Sequence, residues 1–101
     1  MRLVWTKRGI RRRQSAFDYI AVNFYLDYAI EFDGDVRNTV SRLADNPLIG
    51  REAFPEIDRP EIRKILCSHC SYWIYYRVQK RVVEILSVRH TLMNIRTPDQ
   101  L

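Results

Sequence analysis

The chain has 101 residues, 47% of them hydrophobic, and a formal net charge of +5. That length suits one domain and not two, and the apolar content excludes a disordered polymer. The cationic excess favours a polyanion (nucleic acid, an anionic membrane surface or an acidic protein) without choosing among them.

The opening Met1-Arg2-Leu3-Val4-Trp5 runs into a basic stretch, not an apolar one. Neither a secretory leader nor a membrane-spanning segment is expected. The expected location is the cytoplasm, with both cysteines reduced. A domain of this size buries only about 60–70% of the surface its unfolded chain exposes, so a small core and reliance on a partner are expected.

In chain order, Leu3-Val4-Trp5 reads as a strand, and Thr6 as the cap of a helix from about Lys7 to about Phe24. Ile10, Phe17, Ile20, Ala21 and Phe24 recur at three- and four-residue steps and make its apolar face. Arg8, Arg11, Arg12 and Arg13 lie on the other face. A break falls at Tyr25-Leu26, with Asp27 the expected N-cap of a second helix. The stripe of that helix is Ala29, Phe32, Val36, Val40 and Leu43, and Asn46-Pro47 ends it. Gly34 inside it costs roughly 1 kcal/mol against alanine. Residues 46–60 hold three of the four prolines and read as a loop. Ile62 to Cys67, Tyr72 to Val78 and Val82 to Val88 are rich in β-branched and aromatic residues, as strands are. Their short connections imply antiparallel hairpins. From Leu92 onward a turn of helix or a tail is expected.

The expected fold is α+β: an N-terminal strand, a two-helix hairpin, then a three-stranded antiparallel meander. Its helices pack on one face of a small, mostly antiparallel sheet. Along the second predicted strand, alternation puts Trp73, Tyr75 and Arg77 on one side and Ile74, Tyr76 and Val78 on the other. If the first set faces outward, it offers a surface to a partner helix or strand.

Segments along nearly the whole chain resemble the RelE/ParE superfamily of toxins of type II toxin–antitoxin systems. Val4-Trp5-Thr6 enters the first helix, and Phe17-Asp18-Tyr19-Ile20 matches an aspartate-containing helical stretch. Asn46-Pro47-Leu48-Ile49-Gly50-Arg51 resembles the family's P-x-x-G-R loop. Ile62-Arg63-Lys64-Ile65-Leu66 resembles its arginine-led strand, and Tyr75-Tyr76-Arg77-Val78 its Y-R-V strand. Val83-Glu84-Ile85-Leu86-Ser87-Val88-Arg89-His90 resembles its final strand, which ends in histidine.

The resemblance implies a single toxin domain over residues 1–101, held inactive by a cognate antitoxin protein. Operator DNA is then contacted only indirectly, through the antitoxin. No membrane, metal or cofactor is implied. ParE-like members bind and block DNA gyrase, whereas RelE-like members enter the ribosome and cut messenger RNA. The Gly50-Arg51 loop, and a chain that continues past the histidine as Arg89-His90-Thr91-Leu92-Met93, favour the ParE-like branch. The expected function is inhibition of DNA gyrase, with a role in plasmid or locus stabilisation. The alternative is a ribosome-dependent mRNA endonuclease (an mRNA interferase) that blocks translation, and only then is the protein an enzyme.

Metal-independent RNA cleavage needs a base, an acid and cations to steady the phosphorane. Arg63 and Arg77 match the family's phosphate-binding arginines and His90 its histidine, with Lys64 as a possible assistant. The strands show no dense lysine–arginine array. A plainer reading pairs Arg77 with Glu84 across a hairpin, a contact of about 0.2–1 kcal/mol. It leaves Arg63 solvated and His90 hydrogen-bonded at a strand end. Gyrase inhibition needs only a binding surface, for which Arg89, Leu92, Met93 and Ile95 are the candidates. A tail packed on its own sheet is the alternative.

Lys7 to Arg13 carries five cations in seven residues. Cations at a helix N-terminus oppose its dipole by a few tenths of a kcal/mol each. Arg11, Arg12 and Arg13 are therefore expected to bind a target or the antitoxin. Cys67-Ser68-His69-Cys70 supplies three metal ligands at most where a structural zinc needs four, so Cys67 reads as a small buried residue.

Overall fold

The computed structural model describes residues 1–67, 69 and 71–101. β1 (Arg2–Trp5) leads into α1 (Lys7–Asn23) and α2 (Leu26–Asp45). Four strands follow: β2 (Arg51–Glu52), β3 (Ile62–Leu66), β4 (Tyr72–Gln79) and β5 (Val82–His90). A short 3-10 turn, Pro98–Gln100, lies near the end of the described chain. The strands form one sheet in the order β1-β5-β4-β3-β2. β1 runs parallel to β5, and the other pairings are antiparallel. The fold is thus α+β, with both helices over one sheet face.

Local chemistry sets the first corner. The Thr6 hydroxyl accepts from Gly9 N at 3.0 Å, capping α1, and donates to the Ile85 carbonyl at 3.1 Å. One side chain thereby caps the helix and ties it to β5. The main core lies between helices and sheet. Phe32, Val36, Val40 and Leu43 of α2 meet Ile65, Tyr72, Ile74, Tyr76, Val83, Ile85 and Val88 of the strands. The alternation expected along β4 holds: Ile74 and Tyr76 face this core, whereas Trp73 and Tyr75 belong to a second cluster.

That second cluster covers the sheet face away from the helices. Ala53, Phe54, Ile62, Tyr75 and Leu101 are buried in it, with Trp73, Leu86 and Ile95 packed around them. The chain after β5 therefore folds back over the sheet. Arg12 fastens its end, donating from Nε and Nη2 to the Leu101 main-chain oxygen at 3.2 and 3.0 Å. Tyr75 is buried and Arg77 is bound by Glu84, so this face is not the open surface that alternation alone allowed.

Several expectations are corrected. The loop over 46–60 contains β2, which pairs with β3 through Arg51↔Lys64 and Glu52↔Arg63. Two residues are too few to show a strand period. The N-cap of α2 is Tyr25, which makes no side-chain cap bond, and Asp27 sits inside the first turn. There its charge complements the helix dipole. Ile10 and Phe24, assigned to the apolar face of α1, are exposed. Gly9 and Ala16 are the buried positions of α1, which approaches the sheet on small residues. A register irregularity between Tyr75 and Tyr76 interrupts the β4–β5 ladder.

Candidate functional site

A groove of about 800 Å3 opens between the helical hairpin and one end of the sheet. Tyr19 and Phe24 of α1 and Tyr28 and Phe32 of α2 line it from the helix side. Tyr72, Val88 and His90 line it from the sheet, and Leu92 and Met93 from the chain beyond β5. Aromatic contacts order its base: Tyr72 lies 4.9 Å from Phe32 and 5.0 Å from His90, centroid to centroid. Burial raises the Tyr72 pKa, so its hydroxyl is neutral at physiological pH. The mouth stays apolar and open. Leu92 is 88% exposed, Tyr19, Phe24 and Tyr28 each more than half exposed, and Met93 49%. Glu31, Asp35, Arg12, Arg89 and His69 add charged and polar groups to the lining.

So many exposed large apolar groups in one place make the groove the candidate binding surface. The helix side of it was not anticipated. Tyr19 and Tyr28 sit where helical periodicity alone implies solvent. The signal was the aromatic run Phe24-Tyr25, of which Phe24 was assigned to the apolar face of α1 and Tyr25 to the break.

The groove brings together Arg12, Arg89, Leu92 and Met93 of the expected binding set. Ile95 points elsewhere and is packed with the second cluster. The basic run is also divided. Arg13 Nε binds Asp33 Oδ1 at 2.7 Å, with its guanidinium 4.9 Å from the Trp5 ring centroid. It thereby joins β1, α1 and α2. Arg12 holds Leu101, and Arg11 is exposed.

The candidate catalytic residues do not converge. Arg77 stands opposite Glu84 and binds it at 3.1 Å, on the face away from the helices. Arg63 Nη1 donates to the Gly50 carbonyl at 2.7 Å. His90 Nδ1 accepts from Leu92 N at 3.1 Å. Arg63 pairs with Tyr76 and His90 with Tyr72. Four residues along β4 separate these positions by about 13 Å before the two-strand offset is added. Cys67 is buried, as expected, but it is not the reduced, free thiol expected, whereas Ser68 and Cys70, the rest of the weighed metal motif with His69, lie outside the described residues.

Fold and groove together define a small α+β domain with an open apolar groove. A family model described as "ParE toxin of type II toxin-antitoxin system, parDE" matches residues 3–95, and the chain belongs to that family. It is a type II toxin of the ParE kind. Among solved structures it is similar to one titled "Chromosomal ParDE TA system from P. aeruginosa". The two share 21% identity with a TM-score of 0.73, over 89% of this chain and 95% of that one, a likeness of fold. No curated protein matches the sequence. Among the described residues no helix is long and apolar enough to cross a membrane.

Proposed function

We propose that this toxin inhibits DNA gyrase by binding it, and that a cognate antitoxin neutralises it by occupying the groove. The observation that carries the inhibitor reading is the dispersal of Arg63, Arg77 and His90. Each is engaged by a local partner, and the strand register sets Arg63 and His90 four positions apart along β4 and on opposite sides of it. Blocking an enzyme needs complementary surface rather than proton transfer. Leu92 and Met93 supply exposed apolar anchors beside Arg89. An amphipathic antitoxin helix laid along Tyr19, Phe24 and Tyr28 would cover them, so antitoxin and gyrase would compete for one rim. Plasmid or locus stabilisation and a cytoplasmic location follow from this reading.

The test is gyrase supercoiling of relaxed plasmid with the folded toxin titrated in. Inhibition relieved by adding back the antitoxin, with cleaved plasmid accumulating, is the expected result. Unaffected gyrase at several micromolar toxin, alongside ribosome-dependent mRNA cutting, would replace this reading with the endonuclease.

A further inference from the structure

On the sheet face away from the helices, two cations lie against one indole, and a third residue of the same charge pairs with it across the ladder. The Arg51 guanidinium lies 4.9 Å and the Lys64 ammonium 4.4 Å from the Trp73 ring centroid. Arg89 stands directly opposite Trp73 across the β4–β5 ladder. The Tyr75 hydroxyl feels both Arg89 and Arg51, although burial raises its pKa overall. These residues come from four strands, so no stretch of sequence announces the cluster.

The arrangement works against the fold's own stability. Arg51 and Lys64 are direct cross-strand partners, a placement in which like charges are destabilising. The Lys64 pKa is lowered, first by burial and then by Arg51. Arg89 is pulled down by burial and then by Arg12, and its Nε is a buried donor without an acceptor. Among the described residues no carboxylate makes an ion pair with Arg51, Lys64 or Arg89. The other partly buried arginines on the sheet, Arg63 and Arg77, each have an acceptor. A buried, unanswered donor among three unpaired cations is the arrangement expected where an anion from outside completes the set.

We propose that Arg51, Lys64 and Arg89 form a cradle for a nucleic-acid phosphodiester, gripping the backbone without reading sequence. A carboxylate offers its oxygens in one plane and suits a single guanidinium fork. Here the donors approach from strands on both sides of the indole, which suits a tetrahedral phosphate. Two of the three cations already lie against Trp73, so the contact is one of charge and not of base stacking. This site shares Arg89 with the edge of the groove and uses none of Arg63, Arg77 and His90. It stands whether or not gyrase is the target.

The test is fluorescence anisotropy of a labelled twelve-nucleotide DNA strand, and of the same sequence as RNA, with the full chain. Three backbone contacts predict affinity falling about 20-fold between 50 and 200 mM salt, about equally for both strands. Lys64→Glu is expected to weaken binding at least tenfold while raising the melting temperature, because it faces Arg51 with an opposite charge. Arg2→Glu, the same charge change at an exposed position on β1, should weaken binding no more than threefold. Lys64→Gln serves if the glutamate variant does not fold, with a loss of several-fold. Equal losses for Lys64→Glu and Arg2→Glu would overturn the proposal, since diffuse charge would then suffice. So would displacement by poly-glutamate at matched charge, or a tenfold preference for RNA over DNA.

Discussion

Gly50 is held on both sides of its Cα: its N–H donates to the Tyr76 hydroxyl at 2.9 Å, and its carbonyl accepts from Arg63 at 2.7 Å. A Cβ there would stand 2.6 Å from that hydroxyl and 2.7 Å from the Lys64 carbonyl oxygen. Both contacts are too close for carbon, so Gly50→Ala is expected to cost about 1–3 kcal/mol, typical of overpacking. Gly34 is the counter-case. Nothing lies within 4 Å of a Cβ built there, and Gly34→Ala should stabilise α2 by about 1 kcal/mol. Urea titrations of the two variants check the pair, and shifts of the same sign would refute the packing account. The P-x-x-G-R segment was legible as a motif, but its reason was not. The glycine serves a tyrosine twenty-six residues later, which only the folded sheet brings near.

Between elements, the clearest clamp is Arg13–Asp33, reinforced by Arg37 at 3.3 Å. The Asp33 carboxyl is held below its ordinary value of 3.8, chiefly by the hydrogen bond from Arg13 and against the opposing effect of burial. Its folded pKa is depressed, so its contribution is present above 3.8 and lost as pH falls through the folded value. Asp33→Asn should therefore cost about 1 kcal/mol at pH 7, discounted for partial exposure. The gap between variant and parent should close in acid. Thermal melts from pH 7 downward would show this, and a constant gap would mean the carboxylate charge is irrelevant. The β4–β5 hairpin carries a different cost. Lys80 and Arg81 hold φ of 50° and 62° at its tip, where asparagine and glycine sit more easily. Arg81→Gly is expected to add about 1 kcal/mol of stability, read as a raised urea midpoint. Both strands were visible from their β-branched and aromatic content, yet this turn lacks the usual residues and gave no signal. β2 was invisible because it exists only through its pairing with β3.

For the whole molecule, the chain after His90 takes two courses that sequence alone could not separate. A contact surface and a tail packed on its own sheet stood as alternatives; the structure exposes the first part of the segment and packs the rest. Leu92 and Met93 stand out at the groove, whereas Ile95 and Leu101 pack over the far sheet face. The division follows from topology: β5 ends between the two faces, and the chain must turn at His90 to cross from one to the other. Removing everything from Leu92 would therefore confuse loss of contact with loss of fold. Point substitutions keep them apart. Leu101 is 3% exposed, so Leu101→Ala should cost about 2–4 kcal/mol, as cavity-forming core changes do. At temperatures where that variant remains folded, its affinity for the antitoxin should be nearly unchanged. Leu92→Ser with Met93→Ser should do the reverse, leaving the urea midpoint within error and weakening antitoxin binding at least tenfold by calorimetry. The same pair should weaken gyrase inhibition if one rim serves both partners. Lost antitoxin affinity with full gyrase inhibition would instead assign the rim to the antitoxin alone and move the gyrase contact elsewhere on the molecule.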